Sequence, residues 1–251
     1  MSLTAREISA GYGKADIIRD ISVSAKPGHL IALIGPNGSG KSTLIKTLAG
    51  LLPLSSGDIQ LGDQDLGDYT RREAAKKIAY LAQERRALPA MTPADILELG
   101  RAPFRGRLGK ISAAGHDAIK SAVKAANIAP LMHRRFGELS GGEQARVLMA
   151  RALSVDAPII LTDEPIAALD PYYQLVMMDI LKAEAARGKV VIAALHDLAL
   201  AYQFADRIWV MDQGQLAVDD VPHRALSEDI LARVFKISAE FPAVSTSLIE
   251  I

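Results

Sequence analysis

The sequence predicts an α/β protein with a mainly parallel sheet, a small antiparallel β-region and an inserted α-helical block. Three observations predict it. Leu30–Ile34, Pro158–Thr162 and Val190–Leu195 are short apolar runs, broken only by Thr162, with the length and composition of strands buried on both faces. Residues 3–26 instead alternate apolar and polar positions around Gly11-Tyr12-Gly13, the pattern of antiparallel strands joined by a turn. From about residue 92 to residue 155 the apolar spacing is helical, with little β signal.

Taken in order, Ile17, Ile18, Ile21 and Val23 mark a second strand that ends at Lys26-Pro27-Gly28, and Gly57–Gly62 adds a further strand to the same region. Leu30–Ile34 leads into Gly35-Pro36-Asn37-Gly38-Ser39-Gly40-Lys41-Ser42-Thr43, after which Leu44–Ala49 takes helical spacing and stops at Gly50. Strand, glycine loop and helix start are the context in which the pattern G-x-x-x-x-G-K-[ST] is a phosphate site. Glycines let several backbone N–H groups converge on one anion, and the helix start adds free donors and the positive end of its dipole. In that setting Lys41 reaches β- and γ-phosphates and the Ser42 hydroxyl ligates Mg2+, the arrangement of a P-loop NTPase core.

Ile78–Ala82 is a short strand ending at Gln83, preceded by the polar helical patch Arg71–Lys77. Thr92-Pro93 starts a helix with a capping hydroxyl and proline at the first position, and Ser112 to Asn127 forms another. Ser140-Gly141-Gly142-Glu143 is a capping box opening a long helix, with two glycines in its first turn. Each costs about 1 kcal/mol relative to alanine, so either a ligand approaches this backbone closely, making a second anion site, or this is an ordinary capped helix. Asp163-Glu164 closes the Pro158–Thr162 strand, where buried carboxylates need a cation or a reacting group. Either both are solvated loop acids, or Asp163 is an Mg2+ ligand and Glu164 orients or deprotonates the attacking water. Asp170-Pro171 starts a helix that Gly188 ends, and N-capping alone accounts for Asp170. His196 stands beyond the Val190–Leu195 strand, at the same edge as the carboxylates, either as a γ-phosphate contact or as a satisfied histidine. Tyr12 is either a base-stacking ring or a packed loop tyrosine. Ile208–Met211 and Gln215–Val218 form a strand pair, and Ser227-Glu228-Asp229 opens a last short helix.

Composition excludes several function classes. With no cysteine, disulfides, thiol catalysis and cysteine-ligated metals are ruled out. Lys+Arg and Asp+Glu total 29 each, so the chain lacks the basic excess of a nucleic-acid-binding domain. Met1–Glu7 has no signal-peptide core, and no apolar run approaches the roughly 18–20 residues of a membrane span. The expectation is a cytoplasmic protein whose membrane role, if any, passes through a partner.

The ordered series Tyr12, Gly35–Thr43, Gln83, Leu139-Ser140-Gly141-Gly142-Glu143-Gln144, Ile159–Pro165, Ala168-Leu169-Asp170 and His196 resembles the nucleotide-binding subunit of an ATP-binding cassette (ABC) transporter, over about residues 3 to 236. The resemblance implies a single ABC ATPase domain over residues 1–251: 1–90 and 156–251 form the α/β core with its antiparallel region, and 91–155 the helical subdomain with the signature motif. It implies ATP and Mg2+ as ligands, and a head-to-tail pair in which Ser140, Gly141 and Gly142 of one copy cover the γ-phosphate held by the other. It also implies that Glu164 is the catalytic carboxylate, that Gln83 senses Mg2+ and the attacking water, that Tyr12 stacks on adenine, that Asp170 crosses the dimer interface and that His196 contacts the γ-phosphate. Ile166 and Ala167 depart from the threonine or serine common after Glu164-Pro165, and Thr162 from the usual aliphatic residue.

Thr47–Leu52, Leu97–Phe104 and His196–Ala201 resemble the importers of iron chelates (siderophore or haem) and cobalamin. Their subunits act at the cytoplasmic face of the inner membrane with separate permease subunits and, indirectly, a periplasmic or lipoprotein substrate-binding protein. Arg101, Arg105, Arg107 and Lys110 around Phe104 are expected either to help dock the permease or to form a solvated basic loop. A soluble ABC ATPase outside transport, such as an iron–sulfur assembly scaffold, is the alternative. A chromosome or DNA-repair ATPase would need a long coiled coil that this chain lacks.

Overall fold

The structure, a computed structural model, describes residues 1–13, 15–83, 89–106 and 109–238. Its central element is β3 (Leu30–Ile34), five residues buried throughout. Leu30, Ala32 and Ile34 face one apolar cluster, and Ile31 and Leu33 face another, which is why the run shows no polar alternation.

Before it come β1 (Leu3–Tyr12) and β2 (Ala15–Ala25). After it the order is α1 (Lys41–Leu48), β4 (Ser56–Leu61), β5 (Gln64–Asp65), α2 (Arg71–Lys77), β6 (Ile78–Leu81), α3 (Pro93–Gly100), α4 (Ala113–Ala125), α5 (Gly141–Leu153), β7 (Ile159–Asp163), α6 (Pro171–Ala186), β8 (Val190–Ala194), α7 (Leu198–Phe204), β9 (Arg207–Asp212) and β10 (Gln215–Asp220). Two short turns of helix, Pro222–Ala225 and Glu228–Ile230, and a π-helical turn, Leu231–Phe235, follow β10.

The strands form a six-stranded sheet in the order β10-β9-β3-β8-β7-β6 and a four-stranded sheet in the order β2-β1-β4-β5. In the larger sheet β6, β7, β8, β3 and β9 are parallel, and β10 returns antiparallel on β9. The smaller sheet is antiparallel. Helix α1 lies between the two sheets, with Leu44, Ile45 and Leu48 in the cluster that holds Leu3, Ile8, Ile21 and Ile59. On the opposite face, α6 and the α3–α5 block share one core with the parallel sheet: Ile96, Leu97, Leu148 and Met177 join Ile34, Ile160 and Ala193.

The helix starts follow the sequence. Thr70, Thr92, Ser112, Ser140, Asp170 and Asp197 each accept a backbone N–H at the start of α2 to α7. No side chain caps α1, whose N-cap is Gly40 at φ 100°. Among the described residues no helix is long and apolar enough to cross a membrane.

Candidate active site

Parallel register assembles the site. Leu81 pairs with Thr162 and Asp163 with Ala194, so β6, β7 and β8 end along one edge. Gln83, Glu164 and His196 each lie one or two residues past those ends, which brings together groups far apart in sequence. Gln83 Nε2 donates to Glu164 Oε2 at 2.7 Å. The other carboxylate oxygen, Oε1, pairs with His196 Nε2. Glu164 N–H donates to Ala194 O at 3.2 Å, tying the turn after β7 to the end of β8.

Glu164 adopts φ +53°, uncommon for a residue with a Cβ and further disfavoured before Pro165. Such an outlier persists only where its surroundings hold it. Here Gln83, His196 and Ala194 do so. No sequence signal announces this geometry.

Asp163 is 1% exposed, and Ser42 Oγ donates to its Oδ1 at 2.8 Å. Burial pushes the Asp163 carboxyl above its ordinary pKa; the Ser42 hydrogen bond works against that rise and the neighbouring Glu164 charge adds to it. Lys41 is also buried, and its Nζ donates to Gly35 O at 2.8 Å and Pro36 O at 3.1 Å. Burial lowers its pKa, while Glu164 and Asp163 pull it back up. The α1 start thus offers uncapped backbone donors beside a buried ammonium, a hydroxyl and a carboxylate. An anion there would supply the acceptor that a capping side chain supplies to the other helices.

The remaining predicted residues are not joined to this cluster. Tyr12 is 53% exposed at the end of β1. Asp170 caps α6 through Tyr173 N–H at 3.0 Å. Ser140 Oγ accepts from Glu143 N–H at 3.3 Å, and Glu143 Oε2 accepts from Ser140 N–H at 2.8 Å, which is the predicted capping box. Among the described residues no hydrogen bond links Ser140, Gly141, Gly142 or Asp170 to the Gly35–Thr43 loop. The two glycines differ: a Cβ at Gly141 would meet open space, whereas one at Gly142 would fall 2.3 Å from the Tyr173 ring. The close neighbour of Gly142 is therefore a side chain of the same chain.

Arg101 fits neither alternative for the basic segment, a docking cation or part of a solvated loop. Arg101 is 6% exposed, and its Nη1 donates to Ser154 O and Val155 O at 2.8 Å, at the end of α5. Its guanidinium also stacks 3.8 Å from the Phe104 ring centroid. A guanidinium that satisfies helix-terminal carbonyls is structural and is withdrawn from any docking surface. Arg105 pairs with Glu98 at 3.0 Å, Lys110 is exposed, and Arg107 lies outside the described residues.

Fold and site together define an ATP-binding cassette, an ATPase built on a phosphate-loop core. The ABC transporter family profile matches residues 18–167. The chain belongs to that family. It is 38% identical over 237 residues to the hemin import ATP-binding protein HmuV of Rhodococcus jostii (strain RHA1), covering 94% of this chain and 80% of the relative. To the protein of the same name from Rhodopseudomonas palustris (strain BisB5) it is 34% identical, covering 98% of this chain and 94% of the relative. Among solved structures, the dimeric bacterial ABC transporter cassette MJ0796 superposes with a TM-score of 0.75 at 27% identity, over 88% of this chain and 98% of that one.

Proposed function

We propose that this chain is the ATP-hydrolysing subunit of an importer that takes up haem or a related iron chelate through a separate membrane permease. The observation that carries the ATPase part is the carboxylate of Glu164, held between Gln83 and His196 beside the Ser42–Asp163 pair. The import part rests on the hemin import proteins that match nearly the whole chain.

In this reading the loop Gly35, Pro36, Asn37, Gly38, Ser39, Gly40, with Lys41, Ser42 and Thr43, binds the ATP phosphates. Lys41 exchanges its carbonyl partners for phosphate oxygens, and the uncapped start of α1 supplies backbone donors. The donor set suits Mg2+: a hydroxyl and a carboxylate 2.8 Å apart are hard oxygen ligands, and burial disfavours the Asp163 charge in a way a cation would relieve. Ser42 and Asp163, with Gln83 nearby, would hold it, and it would neutralise charge on the phosphate oxygens. Glu164 takes a proton from the attacking water, while Gln83 fixes the other carboxylate oxygen and His196 stands ready to donate to the γ-phosphate. Tyr12 offers an exposed ring for the adenine. Ser140, Gly141, Gly142 and Asp170, which no hydrogen bond among the described residues joins to this cluster, complete the site of a second copy. The family's paired cassettes support this arrangement.

A groove of about 470 Å³ between α1, α2 and α3 is lined by Gly50, Leu51, Ala75, Tyr80, Leu99 and Pro103. Leu51 is 60% and Leu99 50% exposed, an apolar pair suited to a cytoplasmic segment of the permease. We assign the permease to this groove, with a capture protein acting upstream of it.

The test is growth and uptake in a strain lacking this chain. Loss of growth on haem as sole iron source, restored by the intact chain and not by Glu164→Gln, is expected. Undiminished uptake of labelled haem in that strain, or a stable complex with no membrane partner in cells grown under iron limitation, overturns the import reading.

A further inference from the structure

The adjacent glycines that open α5 are not equivalent. Gly141 faces open space, while a Cβ on Gly142 would fall 2.3, 2.5 and 2.6 Å from Cδ2, Cε2 and Cγ of Tyr173. Cγ is the root of that ring, so the body of the ring, and not a swinging tip, covers the Gly142 backbone. Tyr173 belongs to the first turn of α6, and its N–H is the one that Asp170 caps, at 3.0 Å. The neighbouring Gln174 Nε2 donates to Leu169 O at 3.1 Å, holding the loop before α6 to the same turn.

The ring is held from two further sides. Tyr172 meets it edge-on, with centroids 5.2 Å apart at 74°. The Arg146 guanidinium, one turn along α5 from Gly142, lies 5.3 Å from its centroid. Arg146 Nη1 in turn donates to Asn127 O at 2.7 Å, just past α4. The first turn of α5 needs such support: two glycines there weaken helix formation, and its own capping box is exposed.

We infer that Tyr173 is a positioning residue that joins the start of α5 to the start of α6, so that Ser140–Gly142 and Asp170 are presented to a second copy as one rigid unit. The missing Cβ of Gly142 accommodates this ring. This rests on the paired-site reading above, in which both segments act across the interface.

The experiment uses the full chain in the Glu164→Gln background, where ATP-driven pairing is read by sedimentation, and ATP binding to the single subunit is read separately at low protein concentration. Tyr173→Ala is expected to raise the protein concentration for half-maximal pairing by about tenfold, with single-subunit ATP affinity unchanged, and Tyr173→Phe to match the parent. Gly142→Ala is expected to impair pairing further, by about a hundredfold, and Gly142→Ala/Tyr173→Ala to recover to the level of Tyr173→Ala alone. A double variant no better than Gly142→Ala overturns the inference, as does normal pairing by Tyr173→Ala. In the unpaired subunit, amide exchange over residues 142–144 should quicken about tenfold in Tyr173→Ala and stay at the parent rate in Tyr173→Phe; an unchanged rate in Tyr173→Ala also overturns it. If the Glu164→Gln parent fails to pair with ATP, the paired-site reading falls, and the exchange measurement still decides the role of Tyr173.

Discussion

Replacing Glu164 by glutamine removes one proton-accepting group while leaving the local frame nearly intact. The carboxylate accepts from Gln83 on Oε2 at 2.7 Å and pairs with His196 on Oε1. In Glu164→Gln the amide oxygen can still accept from Gln83. The amide nitrogen then donates to His196, whose Nε2 turns acceptor by changing tautomer. Shape, burial and both contacts survive, and what is lost is a base for the attacking water. General-base contributions run to about 10²–10⁴-fold, so kcat for ATP hydrolysis should fall by that factor, with ATP affinity within about threefold of the parent. The assay is phosphate release at saturating ATP, alongside equilibrium binding of ATP. A kcat within about threefold of the parent refutes Glu164 as the base. A matching loss of ATP affinity refutes the claim that the frame survives the change.

Ser42→Ala removes the hydroxyl that donates to buried Asp163, and leaving that acceptor without its partner should cost about 1–3 kcal/mol of stability, read by denaturant unfolding without nucleotide. An unchanged midpoint would mean another donor replaces it. Glu164→Asn tolerates the left-handed backbone at φ +53° better than glutamate and lessens the charge crowding on Asp163, so it should stabilise by about 1 kcal/mol, or about 2–4 °C in Tm, while abolishing turnover. A lower Tm would show that the Gln83 and His196 contacts outweigh the strain. The Glu143 carboxyl is held below its ordinary pKa of 4.5, chiefly by the Ser140 backbone N–H and also by the Ser140 hydroxyl. A depressed native pKa stabilises above the unfolded value and is lost as pH falls through the native one. The stability gap between parent and Glu143→Gln should therefore be constant at neutral pH and close below about pH 4.5; a gap that persists in acid would remove the carboxylate from the cap.

The sequence alone determined most of the local features. The strand–glycine loop–helix succession, the buried runs and the capping residues Thr92, Ser140 and Asp170 are written in periods of 2 and 3.6 residues and in short motifs, and they fold as read; the caps Thr70 and Asp197 and helix α7 appear only in the structure. Even the edge at which the carboxylates gather could be inferred, because apolar strands end where polar residues begin. Contacts across long separations lay beyond it. Gln83 and Glu164 are 81 residues apart, and their hydrogen bond depends on the parallel register of β6 on β7. The positive φ of Glu164 depends on partners from two other strand ends. Arg101 reads as one more cation in a basic loop, yet the carbonyls that end α5 claim it. Gly142 reads either as room for a ligand or as part of an ordinary capped helix, and only the folded chain shows the ring of Tyr173 against its missing Cβ. Local pattern specifies which element a residue joins and which way it faces; only the packing of elements decides which groups meet, because that is set by register and steric fit between segments with no sequence relation to one another.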